Sequence, residues 1–271
     1  MTSSIGRYFR LMAAFARFGL ANELAFRANF LVKIVVEVLW LAILLLFYAT
    51  IFSKTRVVAN WTRNEYLFFI GCFYALSGVV EAFFLSNCTN FPEMIRTGEL
   101  DFVLLRPIDE QFLVSTRWVD WSSIASVILG GAVMIFALFD MQWEFNLLRI
   151  VAFLLLFTCG VAMAYSFILL LSSTSVWMIR NQNLMELWWL FTTLMRYPRE
   201  IYQGSWGLPF GMFFTFVIPV VLVVNVPARM MVKSLDEWYL VAVMVVGSVA
   251  LIWASRRFFM YALRSYRSAS S

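Results

Sequence analysis

Residues 30–52 read FLVKIVVEVLWLAILLLFYATIF, an almost unbroken apolar run that carries only Lys33 and Glu37 as charges. A helix rises about 1.5 Å per residue, so a run of this length covers the roughly 30 Å hydrocarbon core of a bilayer. A membrane barrel strand would be about half as long and would alternate in polarity, which this run does not. Backbone polar groups cannot be left unpaired in lipid, so the run reads as a spanning helix. Lys33 and Glu37 are four residues apart, so the helix places them on one face as an expected ion pair.

Outward from this run the pattern repeats. Comparable apolar stretches fall at 65–86, 117–139, 147–173 and 238–258. The chain of 271 residues is 62% hydrophobic and 14% charged, with a mean hydropathy of +0.81. Soluble domains carry about 25% charged residues, so this composition belongs to lipid. The fold class is all-α, a polytopic helical membrane protein. No stretch longer than about 35 residues lies outside the apolar segments. One transmembrane domain over 1–271 is therefore expected, without an appended catalytic module.

Several chemistries are excluded or disfavoured by what the chain lacks. It has no histidine, which removes the commonest general base and metal ligand together. Cys72, Cys88 and Cys159 are far apart and form no CxxC, so neither a disulfide frame nor a metal site is signalled. None of Lys33, Lys54 and Lys233 follows a glycine, so no GxxxxGK[ST] phosphate loop exists. HExxH and GxSxG are also absent. No cofactor, metal or catalytic residue is assigned to this chain, and nothing points to nucleic acid. Glu81 and Asp120, inside or at the lip of spans, remain candidates for a cavity or gating role, because charge at that depth is costly.

The start of the chain, MTSSIGRYFRLMAAFARFGLANELAFR, lacks the uninterrupted apolar core of a signal peptide. On a helical wheel Arg7, Arg10 and Arg17 share about one quadrant, with Tyr8, Phe9, Leu11, Met12, Phe15 and Phe18 on the rest. Residues 1–29 are expected as an interfacial helix whose three arginines anchor it to anionic headgroups.

Residues 174–237 permit two courses. In one, 183–199 crosses and the stretch over 205–237, broken at Pro219, is re-entrant. In the other, 183–199 lies on the surface and 208–226 crosses. Both make six spans. With a cytoplasmic N-terminus, 13 of the 21 Lys and Arg fall inside, before Arg196 and Arg199 are assigned. The positive-inside rule thus puts both termini and the segment 87–116 in the cytoplasm.

That segment contains MIRTGELDFVLLRPIDEQF, residues 94–112. As a helix, 90–97 puts Phe91, Met94 and Ile95 on one face and Asn90, Glu93, Arg96 and Thr97 on the other. Pro92 fits only its first turn. Gly98 falls where a left-handed helix cap belongs, and a second short element runs to Pro107. The residues alone leave two roles open, a cap on the bundle or a docking element for a soluble partner.

The decapeptide GELDFVLLRP at 98–107, between the second and third of six spans, resembles the ATP-binding-cassette type-2 exporter permeases. It is most similar to a bacterial branch with a GxLDxxLxxP sequence there, matched by Gly98, Leu100, Asp101, Leu104 and Pro107. The resemblance extends over essentially the whole chain. It implies that 87–116 holds a coupling helix seated in the cleft of a separate ATPase subunit. Leu104 and Leu105 would then be the apolar anchors, with Asp101 or Arg106 at the rim. It implies two such ATPases, which would hold ATP and Mg, and a second permease, either another copy or a related chain. It implies a bacterial cytoplasmic (inner) membrane location and favours the re-entrant course for 205–237. RYPRE at 196–200 departs from the more apolar sequence usual there. Aromatic walls and few charges favour a hydrophobic or amphipathic cargo. The rival to a transporter is a non-transporting scaffold or assembly subunit of a membrane complex.

Overall fold

The computed structural model describes residues 4–178, 184–203, 219–233 and 238–266. Among them, five helices are long and apolar enough to cross a membrane. The first helix, α1 (Ser4–Ala25), is followed by the spanning α2 (Arg27–Lys54). A two-stranded hairpin, β1 (Val57–Val58) and β2 (Trp61–Thr62), leads into α3 (Arg63–Val80). Ala59 and Asn60, the two turn residues, both have positive φ, as a tight hairpin that follows the strand twist requires. Thr62 and Glu65 form a reciprocal capping box at the start of α3.

The second span does not stop at 86. A π-helical turn over Glu81–Leu85 carries α3 directly into α4 (Ser86–Thr97). After Gly98 come α5 (Glu99–Leu104) and α6 (Glu110–Thr116). The third span starts four residues later than its apolar run, as α7 (Trp121–Asp140), because Asp120 caps it by accepting from Ser122 N at 3.1 Å. Next is α8 (Leu147–Ser173), whose ends agree with the sequence reading. Then come α9 (Leu184–Met195), a single turn at Arg199–Gln203, α10 (Leu222–Val232) and α11 (Trp238–Ser265), which runs beyond the expected 258. Of the expected re-entrant region, 204–218 and 234–237 lie outside the described residues.

The bundle has two ends. Helices α1, α4, α5 and α6, the start of α7 and the finish of α8 and α11 share the short-helix end. The β-hairpin, the α7–α8 turn and the Arg199–Gln203 turn share the other, the hairpin end. The centre is the crossing of α3 and α7, where small residues let two backbones touch. A Cβ on Gly71 would lie 2.7 Å from Gly130 O, and one on Gly78 would lie 2.9 Å from Val127 N. Gly160 plays the same part between α8 and α10, since its Cβ would meet Val223 O at 2.6 Å. Helix α10 is buried along most of its length. It runs from mid-bundle to the hairpin end, where Trp143 Nε1 donates to Met231 O at 3.0 Å. There Glu200 gathers Trp61 Nε1 at 3.0 Å, Asn225 Nδ2 at 3.2 Å and Arg229 at 3.3 Å.

One expected pair does not form. Lys33 lies 3.7 Å from Asp120, not on Glu37. Glu37 instead accepts from Tyr74 OH at 3.0 Å and Ser126 Oγ at 2.7 Å. Two hydroxyls held rigidly on α3 and α7 satisfy this carboxylate where a long, mobile lysine would have to give up rotamer freedom.

Candidate functional site

The segment from Ser86 to Thr116 forms a platform at the short-helix end, fixed from several sides. The helix expected at 90–97 is the last two thirds of α4, so Pro92 sits within a helix and not in its first turn. A proline at that position removes the N–H that would serve Cys88 O. Ser172 Oγ on α8 donates to that carbonyl at 2.8 Å instead. Upstream, the π turn leaves Ala82 O available, and Asp120 N donates to it at 2.9 Å. Asn87 clamps the same connecting stretch: Nδ2 donates to Trp118 O at 2.7 Å, and Oδ1 accepts from Trp118 N at 2.9 Å.

Gly98 closes α4 with φ 74°, the left-handed cap expected of it. The chain reverses there, and α5 lies against α4 and α6. Phe91 and Met94 from α4 join Leu100, Val103, Leu113, Val114, Leu169 and Phe259 in a dry cluster. Leu100 is fully buried in it. Leu104 is partly buried and packs on the same cluster, so it is not an outward anchor as the sequence suggested. Leu105 is outward, at 82% exposure, and Phe102 stands one turn away at 69%. The exposed apolar pair is therefore Phe102 and Leu105, three apart on one helical face. Sequence reasoning missed Phe102. The unbroken apolar run at 102–105 gave no sign of which side points outward. Arg106 is exposed beside them, and Asp101 is half-buried.

Charged contacts hold the platform's margins. Glu99 pairs with Arg117 at 2.7 Å and Asp109 with Arg256 at 2.7 Å. Burial pushes the Asp109 carboxyl up. Bonds from Arg256 and from Phe112 N outweigh that and hold it below the ordinary aspartate value. Arg256 also donates to Gln111 Oε1 at 3.1 Å, and Gln111 passes the link to Tyr165 at 2.8 Å.

The N-terminal helix packs on this platform. Tyr8 and Phe112 meet edge to face with ring centres 4.9 Å apart. A Cβ on Gly19 would lie 2.6 Å from Val119 O, so α1 touches backbone there. Arg7, Arg10 and Arg17 are all exposed. Arg7 Nη2 reaches Pro107 O at 3.4 Å, and Arg10 Nε donates to Gly6 O in its own helix at 3.3 Å. Phe9 and Phe18 remain exposed on the rest of the surface. Between α1 and the short helices is a groove of about 710 Å³, whose wall includes Phe15, Phe18, Phe102, Arg106, Arg117 and Trp118.

Glu81 opens the π turn and is partly buried, with the carboxylates of Glu37 and Asp120 as its electrostatic neighbours. Asp120 is a helix cap with a lysine partner, which accounts for its charge structurally. Among the described residues no cluster of three or more His, Cys, Asp or Glu could hold a metal.

Searches among curated proteins and among solved structures return no match. A family model described as "ABC-2 family transporter protein" matches residues 38–270, which include every spanning helix above except the start of α2. The chain belongs to the ABC-2 family of transporter proteins and is a multi-pass membrane protein.

Proposed function

We propose that this chain is the permease subunit of an ATP-driven bacterial exporter, and that its platform docks on a separate ATPase subunit. Permeases of this family typically work with ABC ATPases. The observation that carries the reading is the outward pair Phe102 and Leu105, 69% and 82% exposed, on a short helix whose other face is locked into the bundle. An apolar pair beside Arg106 suits an interface core with a charged rim. The rigid backing lets a push at α5 reach α3, α8 and α11. Gly98 and Leu100 build the platform in this reading. Asp101, Leu105, Arg106 and Pro107 border the docking surface, and Leu104 supports it from within.

The assembly has two permeases, alike or related, around one pathway, with two ATPases below holding ATP and Mg. ATP binding there biases a two-state equilibrium of the pathway, which is the physical content of coupling. The short-helix end is cytoplasmic, both termini with it, in the inner membrane. Helix α9 serves as the fifth of six spans. Residues 205–237 re-enter from the outer side, a reading supported by α10 reaching only from mid-bundle to the hairpin end. Arg7, Arg10 and Arg17 face anionic lipid, and the cargo is hydrophobic or amphipathic.

The purified complex in membranes tests this. An exporter's ATP hydrolysis rises when its cargo is supplied, and hydrophobic candidates screened in nanodiscs give that rise. A non-transporting scaffold leaves hydrolysis indifferent to every compound.

A further inference from the structure

Helix α2 stands partly away from the bundle: only Leu41 and Tyr48 of its 28 residues are buried. Between it and helices α3 and α7 runs a cleft of about 410 Å³, within the range of small-molecule sites. Its walls are residues of the three helices, such as Leu45 and Phe52 on α2, Leu67 on α3, and Ala132 and Phe136 on α7. On α2 the lining extends from Leu41 to Phe52, about 16 Å at 1.5 Å per residue, close to half the roughly 30 Å hydrocarbon core. Along α2 the cleft thus matches the depth of one leaflet.

One end of this apolar cleft is charged. Arg63, the first residue of α3, lines it at the hairpin end and is exposed. Among the described residues no acid lies within ion-pair distance of it. The acids nearby are engaged elsewhere, Glu65 with Lys233 and Glu200 with Arg229. A cation at a helix N-terminus is also set against the helix dipole, so an external anion would relieve it. Tyr48 and Tyr66, buried in the wall toward the same end, bond to each other with hydroxyls 3.3 Å apart and leave Arg63 as the exposed polar group there.

We propose that this cleft is a binding site for one anionic membrane phospholipid, with an acyl chain between α2, α3 and α7 and its phosphate on Arg63. The match is of charge and depth together. A spanning helix of a second copy would need a face running through both leaflets, longer than this cleft. The site is independent of the exporter reading and holds whatever the chain transports.

Native mass spectrometry of the full chain, titrated with phosphatidylglycerol or phosphatidylcholine, tests it. The wild type should retain one phosphatidylglycerol at least fivefold better than phosphatidylcholine. Arg63→Ala should erase that preference, and Ala132→Trp, which fills an exposed part of the cleft, should lower retention of both lipids. Arg149→Ala, at the same end but outside the cleft, should change nothing. Photo-crosslinking with a diazirine-tailed phosphatidylglycerol should label peptides spanning 63–70 and 129–136, which needs no variant to fold. Equal retention of the two lipids by the wild type, an unchanged preference in Arg63→Ala, or label scattered over all helices would overturn the proposal. So would a shift from dimer to monomer in Ala132→Trp with lipid retention intact, which would assign the cleft to a second copy.

Discussion

Gly130 and Gly131 adjoin in sequence and have opposite surroundings. A Cβ built on Gly130 meets Ala75 N at 2.5 Å and Gly71 O at 2.6 Å, both backbone atoms of α3. A Cβ on Gly131 meets nothing within 4 Å. Ordinary contact begins at 3.4 Å, so Gly130→Ala needs up to 0.9 Å (3.4 less 2.5) of separation between α3 and α7. Backbone in two regular helices cannot yield locally, and parting them loosens packing along the whole crossing. Overpacking of this kind costs about 1–3 kcal/mol. Both substitutions share the gain of about 1 kcal/mol that alanine has over glycine in a helix, so it cancels between them. Gly131→Ala should therefore be the more stable by about 1–3 kcal/mol. Unfolding in mixed micelles by titration with a denaturing detergent reads the difference as a shift in midpoint. Midpoints that agree for the two variants would refute the close crossing of α3 and α7.

Ser172→Ala should cost about 1–3 kcal/mol, since Cys88 O then loses the donor that stands in for the N–H missing at Pro92. Adding Pro92→Ala should recover much of that loss by restoring an N–H in the same helix, which a double-mutant cycle on melting temperatures would detect. Burial and the neighbouring Asp120 carboxylate push Glu23, near the end of α1, up to about 7. Between the ordinary carboxylate value and about 7 the folded chain therefore holds more protons than the unfolded one, so this group's contribution to stability declines as pH rises through that window and is level above it. Glu23→Gln keeps the acceptor for Trp121 N and can donate to Asp120, so it should melt higher than wild type at pH 8 and alike at pH 4.

The spans were legible because lipid imposes one rule on every residue of a run, and α8 shows this to the residue. Gly98 was legible for a local reason, since a left-handed cap between two short helices admits few side chains. The phase of α5 was not legible. Positions 100 and 102–105 are all apolar, so periodicity gives no preferred face. The direction is set by Gly98, which turns α5 so that Leu100 and Val103 meet Phe91 and Met94. The true partner of Glu37 was hidden for a similar reason. Tyr74 and Ser126 lie on other helices, and only the α3–α7 crossing brings their hydroxyls together. Pro92 misled because a helix start was assumed where a π turn instead carries α3 through.

The central claim, that α5 is the docking element, is tested most directly by a Phe102→Asp, Leu105→Asp double change assayed for co-purification of the ATPase. Both side chains are exposed, so membrane insertion and the melting midpoint should stay at wild-type values. Two carboxylates in a desolvated interface should cost several kcal/mol, roughly a thousandfold in affinity, and the ATPase should be lost. A well-folded double mutant that retains its ATPase at wild-type yield would contradict the account and leave α4 to α6 as no more than a cap on the bundle.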